Sequence, residues 1–315
     1  MKSMIEFLRR FKLTYVIYNF FHRKELKQNE SLYKVIGLKK KYFSSISSKD
    51  FATVNANSLS TEATINLQNC SFFKNTNAKN RVSLLDFQKN GFAILEQYVS
   101  HEQIDEINND IETGLSNGNL KFVNNNKIMF AFHQYKSLQA VGNDKNLNEL
   151  LHALLQGEAV LFQSINFMMG SEQDTHSDSI HMTTFPLGGL LGVWLALEDI
   201  NEDNGPLHYY PGSHLLPYYL NGDYNNEGNA WMLGSQKYDA YEAFIAGRIK
   251  DTGLEKKNFV AKKGDMLIWH ANLFHGGNAH LNKTKTRKSV VFHYFKKGVI
   301  CYHEITQRPA LIKDV

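Results

Sequence analysis

Leu190-Leu191-Gly192-Val193-Trp194-Leu195-Ala196-Leu197 is an unbroken, almost wholly apolar run, closed by Glu198-Asp199 and then by the turn residues Asn204-Gly205-Pro206. A run of this length between polar turns suits a strand covered on both faces. Outward from it, residues 92–95, 158–169, 207–210, 259–261, 265–270 and 289–295 also read as strands. Residues 84–89, the stretch opened by Ser100, residues 147–155 and residues 238–249 read as helices. Ser100 has Gln103 three residues on, which is capping-box spacing, and Ile104, Ile107 and Ile111 form the apolar face that follows. Asn90-Gly91 ends the helix before the first strand. Short strands with Gly/Asn turns, preceded by helices, predict a mainly β protein: a sandwich or barrel with helices flanking it.

The chain is long enough, at 315 residues, to bury a full core, and its 43% hydrophobic and 21% charged residues are ordinary for a globular protein. Three segments are expected: a basic amphipathic helical extension at 1–45, an irregular Ser/Asn/Thr-rich connection at 46–82, and the β domain at 83–315. The formal charge of +4 is uneven, with residues 1–41 carrying +8 and the remainder −4. A mildly acidic body argues against a nucleic-acid partner. Cys70 and Cys301 form no C-x-x-C pair, which excludes a disulfide framework and a thiolate zinc site and fits a reducing cytoplasm. No apolar run reaches the roughly 18 residues of a spanning helix. Met4, Leu8, Phe11, Tyr15 and Tyr18 recur at helical spacing among cations. Such a helix suits peripheral association with an anionic membrane, or packing on the domain or on a second subunit, and the oligomeric state stays open.

The chemistry begins at Thr175-His176-Ser177-Asp178. On a strand, residues two apart face the same side, so His176 and Asp178 point together. Two histidines and one carboxylate on one face of a redox-active divalent metal leave three positions open, enough for a bidentate keto acid and dioxygen. On its own the pair reads more readily as a surface turn in which Asp178 caps and His176 is solvated. About a hundred residues later Phe274-His275-Gly276-Gly277 offers a third ligand, with glycines that let the backbone approach an ion, and of His270 and His275 the former reads as structural. Arg287 and Ser289, at the start of a strand, share a face; an Arg fork with a hydroxyl beside it suits the far carboxylate of 2-oxoglutarate.

These features resemble the phytanoyl-CoA dioxygenase family. The resemblance rests on Val193-Trp194-Leu195-Ala196-Leu197-Glu198-Asp199, Asn204-Gly205-Pro206-Leu207, Pro211-Gly212-Ser213-His214, Lys263-Gly264-Asp265, Phe274-His275-Gly276, and Arg287 with His293-Tyr294. It covers about residues 84–295. It implies a double-stranded β-helix (a jelly-roll, cupin-like core) and an Fe(II)- and 2-oxoglutarate-dependent dioxygenase that uses O2 and hydroxylates an unactivated C–H bond. It implies His176, Asp178 and His275 as iron ligands, Arg287 with Ser289 at the 2-oxoglutarate carboxylate, and Trp194 and Gln163 flanking that cosubstrate. Pro211-Gly212-Ser213-His214 would be architectural. Several relatives carry a Lys near the end of the strand before His-x-Asp; here Asn166-Phe167-Met168-Met169 stands there, so one contact must differ. Asp178 is present, which disfavours halogenation.

Two other functional classes stay in view: a jelly-roll binding protein without chemistry, and a 2-oxoglutarate enzyme whose outcome is desaturation or epimerisation. The substrate is expected to be a small organic molecule, sugar- or lipid-linked, met by lid and pocket segments at 130–135, 181–185 and 222–235. Tyr224, Asn225, Asn226, Asn229 and Trp231 in the last of these suit a polar ligand such as a sugar.

Overall fold

The computed structural model describes residues 7–55, 66–123 and 126–312; Met4, residues 56–65 of the connection and residues 313–315 lie outside the described residues. A six-stranded antiparallel sheet runs in the order β1 (Phe92–Leu95), β8 (Met266–His270), β5 (Leu190–Ala196), β10 (Ser289–Lys296), β3 (Ala159–Phe167) and β2 (Lys127–Met129). Two three-stranded antiparallel sheets complete the barrel: β7 (Lys257–Phe259), β6 (Leu207–Tyr209), β9 (His275–Gly277), and β12 (Arg308–Pro309), β11 (Ile300–His303), β4 (Thr183–Phe185).

The opening apolar run is β5, buried at every position because both faces are covered. Leu191, Val193 and Leu195 join Val290, Phe292 and Tyr294 of β10 in a core shared with the helices His101–Ser116, Lys136–Gly142 and Lys145–Leu155. Trp194 and Ala196, one residue out of phase, face the other way and pack with Leu207, Tyr209 and Phe259. The period of two thus sorts one strand between a helix layer and the barrel interior. Ser100 caps His101–Ser116 reciprocally with Gln103, and Ile104, Ile107 and Ile111 are buried. Helix 84–89 is in fact two, Ala78–Leu85 and Phe87–Asn90, and Gly91, at φ 80°, turns the chain into β1. The expected strand at 259–261 lies earlier, at β7, with Ala261 held only by a bridge to Ile200.

At the N-terminus the spacing predicts one helix through Leu8 and Tyr18, but the chain turns at Arg9–Arg10 and resumes as the helix Lys12–Phe21. Backbone pairing with the 231–233 segment outweighs helix continuity: Lys12 N–H donates to Trp231 O (3.0 Å) and Leu233 N–H to Arg10 O (2.8 Å). Further on, Tyr33, Ile46 and Phe51 pack on Phe185, Ile300 and Tyr302 of the β12-β11-β4 sheet. The extension is therefore built into the barrel at one end while the helix Lys12–Phe21 buries only Asn19.

Candidate active site

His176 and Asp178 do not sit on a regular strand. His176 forms an isolated antiparallel bridge with His275, and Asp178 opens a 3-10 turn, Asp178–Ile180, capped by the Ser177 hydroxyl. The bridge does what a strand would have done. His176 N–H donates to His275 O and His275 N–H to His176 O, both at 2.9 Å, so two imidazoles nearly a hundred residues apart in sequence leave the backbone side by side. The turn then returns Asp178 to the same point. The three ligand atoms lie within 4.8 Å of one another and all three residues are buried.

This donor set fits a divalent ion. His176 Nδ1 faces Asp174 O at 2.8 Å and His275 Nδ1 faces Leu273 O at 2.9 Å, which fixes both tautomers and leaves both Nε2 atoms free. Those Nε2 atoms stand 3.9 and 3.7 Å from Asp178 Oδ1, too far for hydrogen bonds and of the order that donors around one ion keep. Burial, reinforced by the His275 ring, pushes the His176 imidazole well below its usual value, so it is neutral as a ligand must be. Burial opposes ionisation of Asp178, but the His275 and His293 rings beside it outweigh that and hold the carboxyl well below the carboxylate range.

Trp269 and His293 complete the setting of Asp178, and sequence reasoning assigned neither a role. Trp269 Nε1 donates to Asp178 Oδ2 at 2.7 Å, and His293 Nε2 stands 3.7 Å from the same oxygen. Gly192 on β5 makes room for this, since a Cβ there would run into the Trp269 indole. His293 was legible by alternation, because Arg287, Ser289, Val291 and His293 share a face. The glycines after His275 serve differently from expectation. Gly276 gives way to the His208 ring and Gln173 O, and Gly277 to the 171–173 chain, so they admit protein neighbours and not an ion.

A cavity of about 260 Å³ opens on the triad and is lined also by Gln163, Trp194, Arg287, His293 and Lys127. Arg287 is buried to 2% exposure. Its Nη1 donates to Ser289 Oγ at 2.7 Å, its guanidinium carbon stands 5.7 Å from the Trp194 and Phe167 ring centroids, and its Nε has no partner. Gly170 leaves the space it fills. Burial lowers its pKa to about 10, with Glu198 opposing, so it stays cationic near neutrality. A buried cation with an unpartnered donor beside a metal-type triad fits an anionic, carboxylate-bearing cosubstrate. A lysine does line this cavity, Lys127, though not from the strand before His-x-Asp. It comes from β2, opposite Phe167 of β3, and lines the same cavity, where burial lowers its pKa and Asp178 opposes that shift. Only strand register brings it there.

Other expected residues fall outside. His270 is structural, its Nδ1 accepting from Asn272 N–H at 3.2 Å. Ser213 is architectural, accepting from Phe274 N–H at 2.8 Å. Segment 222–235 lines neither this cavity nor the one beyond it. Tyr224 and Asn226 are buried and spend their polar atoms on Asn221, on each other and on the Gln236 N–H, because buried amides must be satisfied internally. Trp231 is 77% exposed.

Glu242, on the helix Tyr238–Thr252, lines a side opening next to Lys127, Gln173 and His181. Burial, with Asp174 and Asp239, raises its carboxyl to about 7 from 4.5. An acid raised on folding binds the extra proton in the folded state, so stability falls as pH rises from about 4.5 to about 7 and the penalty is complete above that. Glu242→Gln is therefore expected to raise the melting temperature at pH 8 and leave it nearly unchanged at pH 5. With solvent screening the gain is below about 1 kcal/mol. Thermal melts at the two pH values check it, and an equal gain at both contradicts the raised pKa.

The family model described as phytanoyl-CoA dioxygenase (PhyH) matches residues 87–289. Phytanoyl-CoA dioxygenase domain-containing protein 1 of Danio rerio is 30% identical over 177 residues, 53% of this chain and 56% of that protein, so the chain matches about half of that relative's length. Ectoine dioxygenase of Halomonas elongata is 24% identical over 247 residues, 72% of this chain and 74% of that one. Among solved structures, the non-heme alpha ketoglutarate dependent carbocyclase SnoK from nogalamycin biosynthesis aligns with TM-score 0.59 at 13% identity, over 72% of this chain and 87% of that one. EctD from S. alaskensis, with 2-oxoglutarate and 5-hydroxyectoine, aligns with TM-score 0.52 at 18% identity, over 70% and 78%. At such identities the likeness is one of fold, and that fold is the cupin-like double-stranded β-helix.

Proposed function

The chain belongs to the phytanoyl-CoA dioxygenase family, and from that premise we propose that it is an Fe(II)- and 2-oxoglutarate-dependent oxygenase that hydroxylates a C–H bond of a small organic substrate. One observation carries the reading: the buried His176, Asp178 and His275 share a cavity with the buried Arg287, whose Nε lacks a partner. In this reading His176, Asp178 and His275 hold the metal. Arg287, with Ser289 beside it, binds the far carboxylate of 2-oxoglutarate, and Trp194, Gln163 and Lys127 line its flanks. Bound iron with 2-oxoglutarate supplies the oxidising chemistry, O2 being consumed and succinate and CO2 released. The protein's part is to fix both imidazole tautomers, keep Asp178 ionised through Trp269 and His293, and hold the keto acid against a buried cation.

Anaerobic addition of iron(II) and then 2-oxoglutarate is expected to give the visible charge-transfer band of a chelated keto acid, weakened in Arg287→Ala. Folded protein that gives no band with both in excess would replace this reading by that of a non-catalytic jelly-roll binding protein. Desaturation or epimerisation would share the same first steps, and product analysis separates them from hydroxylation.

The N-terminal segment is proposed to rest on an anionic membrane surface. No helix among the described residues is long and apolar enough to cross a membrane. The helix Lys12–Phe21 instead turns Leu13, Ile17, Phe20 and Phe21 outward, with the exposed Phe7, Leu8 and Trp231 nearby, in the stretch of the chain that holds the excess positive charge. Apolar side chains among cations suit the interface of an anionic bilayer. Sedimentation with phosphatidylserine-containing vesicles is expected, and to be lost in the triple variant Leu13→Asp, Ile17→Asp, Phe21→Asp. Equal recovery of both proteins with the vesicles contradicts it.

A further inference from the structure

A second cavity of about 260 Å³ adjoins the first, and Gln163, His181, Met182 and His303 line both. Beyond those four its walls are mostly apolar, from Phe130, Phe162, Leu190 and Leu311 among others. Two of its contributors lie outside the family-matched stretch of 87–289. The helix Lys12–Phe21 provides Tyr18, and the C-terminal segment provides Cys301, Tyr302 and Arg308 to Leu311. The part of the site that adjoins the triad is thus closed in part by segments outside the family-matched stretch.

Arg308 is the cation of this second cavity. It stands opposite His303 in the β11–β12 pair, and His303 lies on the seam between the two cavities. Its guanidinium carbon is 5.9 Å from the Tyr15 ring centroid. Among the described residues it forms no ion pair and no hydrogen bond through its side chain. A half-buried guanidinium that leans only on an aromatic face keeps its forked donors free for a planar or tetrahedral oxyanion. The cavity holds two complementary parts: apolar walls large enough for a short hydrocarbon body, and one unpaired cation beside the passage to the triad.

We propose that this second cavity is the substrate site, and that it takes an amphiphile whose apolar body fills the cavity and whose single anionic group, carboxylate or phosphate, is held by Arg308. The inference rests on the oxygenase reading for calling the ligand a substrate, but the site itself needs no metal. Arg287 and Arg308 then divide two anions between two cavities: the buried Arg287 takes the cosubstrate and the half-buried Arg308 takes the substrate. Tyr15 and Tyr18 give the N-terminal helix a direct part in selection, as the support of Arg308 and as a wall of the cavity.

Calorimetric titration of metal-free, full-length protein with octanoate, octyl phosphate, octanol and octylamine tests this. Both anions are expected to bind about tenfold more tightly than octanol, with octylamine weakest; the tighter of octanoate and octyl phosphate identifies the anionic group. Arg308→Gln is expected to level the anions with octanol, Arg308→Lys to restore part of the preference, and Ala310→Phe to weaken all four ligands by occupying the cavity. Each variant is matched to wild type by circular dichroism and melting temperature. Anions that bind no better than octanol, or an anion preference that survives Arg308→Gln in folded protein, overturn the proposal. Because iron is absent throughout, such a result leaves the charge-transfer test of the oxygenase reading untouched, and loss of that band would leave a positive binding result standing.

Discussion

Alanine at His176, Asp178 or His275 is expected to abolish succinate formation in each case, with or without added iron(II), and to lower iron affinity by more than the 10–100-fold typical of losing a residue that only supports a ligand. The geometry gives the reason. Each residue contributes one atom to a gap that no group among the described residues fills by hydrogen bonding, and the two imidazoles already spend Nδ1 on backbone carbonyls. Trp269→Phe separates ligation from support. It keeps the ring that packs under Gly192 but removes the 2.7 Å hydrogen bond to Asp178 Oδ2. Its expected cost is about 10–100-fold in iron affinity, with the fold intact. Iron binding followed by calorimetry, together with succinate assays at saturating iron, checks both. Wild-type turnover in any of the three alanine variants would remove the triad from the chemistry.

Arg287→Ala is expected to weaken 2-oxoglutarate binding by about 30- to several-thousandfold, the equivalent of the 2–5 kcal/mol that truncating one partner of a buried charge pair costs. Iron affinity should hardly change, since Arg287 touches none of the three ligands. Arg287→Lys should fall well short of rescue. A single ammonium cannot both donate to Ser289 and fork onto a carboxylate, and it loses the flat contact with Trp194 and Phe167. Equilibrium binding of 2-oxoglutarate to the iron-loaded, anaerobic protein measures this. Unchanged affinity in Arg287→Ala would leave the buried guanidinium as a structural cation and move the cosubstrate elsewhere in the cavity, with Lys127 the next group to test.

Arg287 and the triad belong to the barrel interior, whereas the proposed substrate cavity is partly made at the chain's two ends. The stretch that matches the family ends at residue 289, before β11 and β12, and begins after the N-terminal helix. Those outer segments meet at the second cavity. What the relatives' names say they act on is therefore no guide by itself to this chain's substrate, since part of the proposed substrate site comes from sequence that the family model does not cover.

Much of the barrel could be read from local pattern. The apolar run at 190–197, the Ser100–Gln103 cap and the Asn90-Gly91 break each depend on side-chain period or backbone preference within a few residues, and each stands close to where it was expected. The residues proposed as ligands were readable for a related reason: His-x-Asp, a late His-Gly and Arg-x-Ser are short spacings that survive any folding of the chain between them. What carries His176 to His275 and Lys127 to the cavity is strand register, and what carries Asp178 to Trp269 is the turn that follows that bridge, relations between segments up to about a hundred residues apart. Local preference cannot encode that, because sliding one strand by a residue turns every side chain to the opposite face without altering any local pattern. The sequence by itself determined a helix-flanked β-barrel and singled out the residues proposed as its ligand set. Only the tertiary structure decided that Asp178 is held by an indole, that the glycines after His275 admit a neighbouring ring, and that the N-terminal helix forms a wall of the second cavity.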